Sequence, residues 1–368
     1  MRPLAAQPGD AVAAIDTPAL VVDLDALERN VERMASFVRE RGLRLRPHAK
    51  THKCAAIARL QLSAGAVGVC VQKLSEAEAL ADAGIDDIYV SNQIVDARKL
   101  ERVAQLARRV RLALAVDHAL GIERLADAVQ RAGSRLAVYV EIDVGQGRCG
   151  ALPRDAAALA ARVLARGLSF AGLQAYHGGA QHVRAPAERK AAIDIALARV
   201  HEALAGLHAA RVECPLVSGA GTGSFVFEAA SRAWGELQAG SYVFMDRDYA
   251  DNDAAPGAPA FEHALFVKSQ VVSRSASHAV IDAGHKSHAI DSGSPGVHGR
   301  DLGYANGGDE HGILRGAPLP ALGETVWLVP GHCDPTVNLH DHYVCLRGGL
   351  EHGTVEAIWP VDARGCVG

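Results

Sequence analysis

From about residue 43 to 246 the chain alternates short apolar runs with longer segments whose apolar positions recur at helical spacing. "LRLRPHAK" leads into "CAAIARLQLSAG", "AVGVCVQ" into "SEAEALADAG", "IDDIYVSN" into "DARKLERVAQLARRV", and "RLALAVD" into "HALGIERLADAVQRAG". "RLAVYVEIDVG", "LSFAGLQAYHG", "ECPLVSGAGTGS" and "ELQAGSYVFMD" complete the series of eight. Apolar runs without polar alternation belong to strands buried on both faces, so the pattern predicts parallel strands covered by helices. Eight such units over this length predict a (β/α)8 TIM-type barrel, with a doubly wound open sheet as the alternative. Ser75 and Glu78 have capping-box spacing, and Gly84 and Gly133 stand where helices should stop.

Beyond about residue 258 the pattern changes. "FEHALFVKSQVVSRS", "HAVIDAG", "ETVWLVPGH", "HYVCLRG" and "TVEAIWPVDARG" are β-rich, with Gly and Pro turns and no long helical period. This predicts a C-terminal all-β domain, separated from the barrel by the linker "DNDAAPGAPA" at 251–260. The early run "TPALVVDLDAL" is one strand too many for the barrel and is expected to join the β domain. The expected division is therefore a barrel over 28–250 and a β domain over 258–368 with strand 15–27.

Composition narrows the partners. The chain has 368 residues, 49% of them hydrophobic, with 38 basic against 42 acidic side chains and no block of like charge. Nucleic acid and membrane surfaces are thus not expected as partners. The N-terminus is too broken by Pro, Gly and Asp for a signal-peptide core, and no apolar run is long enough to span a membrane. Seven scattered cysteines without a C-x-x-C pair point to reduced thiols and a cytoplasmic setting.

In a barrel of this kind, chemistry gathers at the C-terminal ends of the strands. Those ends carry His48 and Lys50, then Gln72, Asn92 and Asp117, then Arg148 in "DVGQGRCG", then Tyr176 and His177. The seventh opens into "SGAGTGS" and the eighth carries "AGSY". Glycine lets backbone N–H groups approach an anion, and the loops after strands seven and eight are where such barrels commonly hold phosphate. A phosphate site together with a lysine at the end of strand one suggests pyridoxal phosphate, with Lys50 as the amine that captures its aldehyde. Lys53, three residues on, reads as a solvated residue at a helix start.

"RPHAKTHKC", "EIDVGQGRCG", "GLQAYHG", "GAGTGS" and "LQAGSYVFMD" resemble the D-threonine aldolase and D-serine dehydratase family, whose barrel is similar to that of alanine racemase. The resemblance runs from about residue 15 to the C-terminus. It implies a fold-type III pyridoxal phosphate enzyme with the Schiff base on Lys50 and with Arg148 facing the pyridine nitrogen. Tyr176 and Gln72 are implied beside the cofactor, and Gly221, Thr222, Gly223, Gly240, Ser241 and Tyr242 around its phosphate. A homodimer, the β domain of one subunit facing the barrel of the other, is implied as well.

"VPGHCDPTVNLHDHYVCLRGG" at 329–349 holds His332, Cys333, Asp334, His340, Asp341 and His342. If that segment is extended, His332 and Asp334 share one face and Cys333 takes the other. An imidazole with a carboxylate suits Mn²⁺, with Mg²⁺ or Zn²⁺ as alternatives, whereas His with Cys would favour Zn²⁺. In this family the residue two after the histidine separates the branches: Asp resembles the aldolase, Cys the dehydratase. The expected activity is therefore cleavage of D-3-hydroxy-α-amino acids of the D-threonine type to glycine and an aldehyde, with Lys50, His177 or a metal-bound hydroxide as the candidate base. A D-3-hydroxyaspartate aldolase differs by one carboxylate-binding group, for which His285, Lys286, His288 and Arg315 are candidates. D-Serine or D-3-hydroxyaspartate dehydratase and a non-enzymatic pyridoxal phosphate carrier are the remaining alternatives.

Overall fold

The computed structural model describes residues 4–368. Eight strands form one all-parallel sheet: β2 (Arg44–Leu45), β3 (Val69–Val71), β4 (Asp87–Val90), β5 (Arg111–Val116), β6 (Ala137–Glu141), β7 (Ser169–Ala175), β8 (Val217–Gly219) and β9 (Glu236–Leu237). Their order is β2-β9-β8-β7-β6-β5-β4-β3, and a parallel bridge between His48 and Cys70 joins the two ends into a barrel. Val69, Ile88, Leu114, Val138 and Leu173 are fully buried, as strands sandwiched between barrel interior and helices require.

The helices end where the sequence punctuates them, with one exception. Gly133 closes the helix Ala119–Ala132 in the left-handed region at φ 61°. The helix Leu74–Asp82, however, begins one residue before Ser75, which is therefore inside it. Its cap is Glu76, whose Oε2 accepts from the Gln72 and Lys73 N–H groups at 2.8 and 3.0 Å. Glu78 instead pairs with Arg102.

The second sheet contains β1 (Ala19–Asp23), β10 (Leu265–Arg274), β11 (Ala279–Ile281), β12 (Gly296–Val297), β13 (Gly303–Asn306), β14 (Gly312–Arg315), β15 (Thr325–Val329), β16 (His342–Arg347) and β17 (Thr354–Pro360). The path is β13-β14-β11-β10-β1-β16-β17, with β15 on β10 and β12 on β15. The early strand β1 pairs antiparallel to β10 and parallel to β16, at the centre of this sheet. One hydrophobic core runs from barrel residues such as Leu45 and Val71 into Leu265, Val326 and Tyr343 of the second sheet. That shared core sets the loop between β15 and β16 over the barrel mouth. Among the described residues, no helix is long and apolar enough to cross a membrane.

Candidate active site

The strand β2 is short, but its continuation stays paired on both sides. Arg46 N–H donates to the Leu237 carbonyl at 2.9 Å, Cys70 N–H to the Pro47 carbonyl at 2.8 Å, and Ala49 N–H to the Cys70 carbonyl at 2.7 Å. The backbone is thus fixed up to the residue before Lys50. Lys50 then enters a cavity that it shares with His48, Gln72, Arg148 and Tyr176, and its side chain keeps 38% of its surface accessible there. Lys53 is not solvated: it is buried, with Nζ 2.8 Å from Glu76 and hydrogen bonds of 3.3 Å to the Ala363 and Cys366 carbonyls. The C-terminal segment folds over it, a contact that no local pattern announces.

Gly221 and Thr222, after β8, and Gly240 and Ser241, after β9, line the same cavity. Close approach explains the glycines. A Cβ on Gly240 would lie 2.7 Å from the His48 carbonyl oxygen and 2.9 Å from Thr51 Oγ1, and one on Gly221 would lie 2.5 Å from Gln181 Oε1. Thr222 Oγ1 accepts from the Tyr242 N–H at 3.1 Å. The Tyr242 ring itself is core, its hydroxyl accepting from Gln61 Nε2 at 3.1 Å. Gly223 lies outside the cavity lining, and its N–H is already taken by Gln181 Oε1 at 2.9 Å.

The residues fit pyridoxal phosphate. His48 Nδ1 is buried against the cavity with no hydrogen-bond partner, while its Nε2 is 3.2 Å from Ser91 Oγ. Such an orphaned polar atom at a binding cavity marks a place for a ligand. Burial, aided by the Lys50 charge, pushes the His48 imidazole down to about 3, so it is neutral at ordinary pH. Burial also raises the Tyr176 phenol, against the pull of Lys50 and Arg148. The Arg148 guanidinium stands 5.8 Å from the centre of the Tyr176 ring and, among the described residues, has no carboxylate partner.

The segment after β15 is not extended. His332 caps a short helix, Cys333–Val337, so Cys333 turns inward and is fully buried. Burial pushes its thiol well above the ordinary range, and its side chain packs in the core. Asp334 contacts Lys50 Nζ through Oδ2, although neither it nor His332 lines the cavity itself. Burial would raise the Asp334 carboxyl, but Lys50 and His332 bring it down to about 2; the same contact outweighs burial at Lys50 and lifts it to about 12. Asp334 Oδ1 is buried without a partner and stands 4.0 Å from His332 Nε2. An unpartnered carboxylate oxygen facing an imidazole nitrogen fits a divalent ion with two protein ligands, the remaining positions being solvent or substrate. Among the described residues, no three His, Cys, Asp or Glu side chains gather into a fuller ligand set.

Other expected residues lie apart. His177 is half-buried and does not line the Lys50 cavity; its Nδ1 accepts from Ala180 N–H at 3.2 Å, and a Cβ on Gly145 would sit 3.1 Å from its Nε2. His340 Nε2 donates to the Ser287 carbonyl at 2.7 Å, and Asp341 pairs with Arg364. His285 and Lys286 both sit 3.0 Å from Asp309, Lys286 also pairs with Glu310, and His288 hydrogen-bonds Tyr304 at 2.9 Å. Sequence reasoning missed Thr51, Ser91, Gln174, Gln238 and Tyr249, all of which line the cavity, and Asp291, which is 2.7 Å from His332 Nδ1. Gln174 lies two residues before Tyr176, and Gln238 one residue before the stretch "AGSY". A larger groove, about 650 Å³, opens between the outer helices, but Arg102, Arg109 and Arg131 along it are already paired with Glu78, Asp82 and Glu101.

Residues 22–248 match the family described as alanine racemase, N-terminal domain, and residues 264–346 match the putative serine dehydratase domain. The chain is 46% identical to the D-threonine aldolase of Arthrobacter sp over 99% of its own length and 96% of the relative's. The chain belongs to the D-threonine aldolase and D-serine dehydratase family. Another family member, the 3-hydroxy-D-aspartate aldolase of Paracoccus denitrificans (strain Pd 1222), is 43% identical over 98% of this chain and 95% of that one. The crystal structure of the family's D-threonine aldolase from Filomicrobium marinum matches with a TM-score of 0.96 at 49% identity, covering 100% of each chain.

Proposed function

We propose that the protein is a pyridoxal phosphate- and divalent metal-dependent aldolase, a carbon–carbon lyase that cleaves D-3-hydroxy-α-amino acids of the D-threonine type to glycine and an aldehyde. The observation that carries this reading is the contact between Lys50 and Asp334, which brings the cofactor-binding amine and a metal-binding carboxylate to one point over the barrel mouth. Bound pyridoxal phosphate supplies an electron sink for the pair left when Cα–Cβ breaks. A divalent ion held by His332 and Asp334 supplies a Lewis acid for the β-hydroxyl oxygen.

The chain's own groups do the rest. Gly221, Thr222, Gly240 and Ser241, which line the cavity, hold the cofactor phosphate. Arg148 offers donors only, and with Gln72 and Tyr176 it orients the ring. Lys50 Nζ would hold the cofactor aldehyde and, as a free amine, would accept the proton that leaves the β-hydroxyl and return one to Cα of the glycine product, with the Asp334 carboxylate stabilising the ammonium form. His177 caps a turn outside the cavity and has the weaker claim as base. In this reading 28–250 is the cofactor-binding unit and 258–368 with 15–27 is the unit that carries the metal ligands. The resident ion is Mn²⁺, in keeping with one imidazole and one hard carboxylate, ahead of Mg²⁺ and Zn²⁺. A cytoplasmic setting is supported by seven free cysteines, and a homodimer by the family resemblance.

The D-3-hydroxyaspartate alternative needs a cation to receive a second carboxylate. Of the four candidates, His285 and Lys286 are paired with Asp309 and Glu310 and His288 with Tyr304, which supports the neutral side chain and leaves Arg315, exposed at the end of β14, as the candidate without such a partner among the described residues. Glycine release should be measured from D-threonine and from both D-3-hydroxyaspartates, with and without Mn²⁺. Cleavage of D-threonine that needs Mn²⁺ supports the reading. Full activity in metal-free enzyme, or turnover of hydroxyaspartate alone, overturns it.

A further inference from the structure

His332 lies between two carboxylates. Asp334 Oδ1 is 4.0 Å from its Nε2, and on the opposite edge of the ring Asp291 Oδ2 is 2.7 Å from its Nδ1, with Ser292 Oγ 3.4 Å from the same nitrogen. We propose that Asp291 is a positioning residue that fixes the tautomer and angle of the His332 ring, so that Nε2 is the nitrogen offered to the divalent ion. The inference rests on reading His332 and Asp334 as the ligand pair.

A carboxylate only accepts hydrogen bonds, so Nδ1 is the nitrogen that donates in this pair, and Nε2, on the side toward Asp334, is the one left for the ion. The His332 side chain is 26% exposed, and the hydrogen-bonding atoms that reach its Nδ1 are Asp291 Oδ2 at 2.7 Å and Ser292 Oγ at 3.4 Å. The loop that carries Asp291 is fastened to the helix that carries Asp334. Ala289 N–H donates to Thr336 Oγ1 at 3.0 Å, and the same hydroxyl donates to the His332 carbonyl at 2.7 Å. Gly331 closes the gap from the other side: a Cβ there would sit 2.3 Å from the Gly293 carbonyl oxygen. The loops approach closely enough to hold carboxylate and ring in register. With only two protein ligands, each ligand's aim weighs heavily on affinity.

An exposed Asp–His pair with no such role contributes little to stability, so the decisive readout is metal affinity. Cofactor-loaded, metal-stripped enzyme is titrated with MnCl₂ while the paramagnetic resonance signal of the free ion is followed. Asp291→Ala should raise the Mn²⁺ Kd about 10–100-fold. Asp291→Asn should raise it less, because its carbonyl still accepts from Nδ1 without the charge. The cofactor's visible band and the melting temperature of the metal-free enzyme should stay at parental values in both. A Kd for Asp291→Ala within about twofold of the parent overturns the proposal. His332→Ala separates the two layers: if it binds Mn²⁺ as the parent does, the ligand reading itself fails, and the orienting role falls with it.

Discussion

The two sides of the site are built by different means. On the barrel side, Lys50, Gln72, Tyr176 and Gly240 sit within a few residues of a strand end, and paired backbone fixes where each begins. On the β-domain side, His332 and Asp334 come from a turn between β15 and β16. That turn is held by side chains from elsewhere: Asp246 Oδ2 accepts from Cys333 N–H at 3.0 Å, and Thr336 ties it to the loop of Asp291. Strand ends turn a position in sequence directly into a position in space. The turn depends on contacts with loops that are distant in sequence, so its geometry is a tertiary product.

The sharpest way to break this comparison is to remove one group from each side. Lys50→Ala should lower the turnover of D-threonine at least about a thousandfold and abolish the bound cofactor's visible band, while Mn²⁺ binding persists. Asp334→Asn should lower turnover about a hundredfold or more and abolish Mn²⁺ binding, while the cofactor band persists. Chelation of the parent should reproduce the second result. If both variants lose the same ligand, the division of labour between the two sides is wrong.

What the sequence made legible follows the same division. The barrel strands could be read because buried parallel strands leave continuous apolar runs, and the outlying strand β1 because its own apolar run was one too many for eight. The glycines at 221 and 240 stood out in the loops after the last two strands; a Cβ at 240 would meet the His48 carbonyl and one at 221 the Gln181 side chain. His332 and Asp334 could be found as residues, yet the extended geometry expected for them was wrong: Pro335 follows Asp334 inside a short helix, and the side chain of Cys333 turned into the core. Lys53 failed for a like reason, since its partners Glu76, Ala363 and Cys366 come from two distant segments. Asp291 left no local signal at all. Nothing in "SHAIDSG" tells which of its polar residues meets a ring 41 positions away.

A subtler test stays on the barrel side. Gly240→Ala places a methyl against the His48 carbonyl oxygen at 2.7 Å and Thr51 Oγ1 at 2.9 Å. Backbone must move to relieve it, at a cost of about 1–3 kcal/mol in stability. Because Gly240 and Ser241 line the cavity, pyridoxal phosphate affinity should weaken while the Mn²⁺ Kd stays constant. Cofactor titration of the apoenzyme by absorbance measures the first and metal titration the second. An altered metal affinity with unaltered cofactor binding is the result that contradicts the assignment.

The smallest expected effect lies at the seam between the two sides. His52 is fully buried; its Nδ1 accepts from Cys54 N–H at 3.1 Å, and its carbonyl accepts from the Tyr343 hydroxyl of β16. Burial pushes the His52 imidazole down to about 4, whereas in the unfolded chain histidine titrates near 6.5. Between those values the unfolded chain binds the proton and the folded one does not, so acid favours unfolding. The stability from keeping His52 neutral is complete above about pH 6.5 and is lost as pH falls toward 4. Between about pH 7 and 5.5 the loss is on the order of 1 kcal/mol. His52→Asn removes the titrating group, so its unfolding free energy in urea should fall less over that interval than the parent's does. Equal slopes in the two proteins would move the acid sensitivity to another buried imidazole, with His48 at the barrel mouth the first to test by the same substitution.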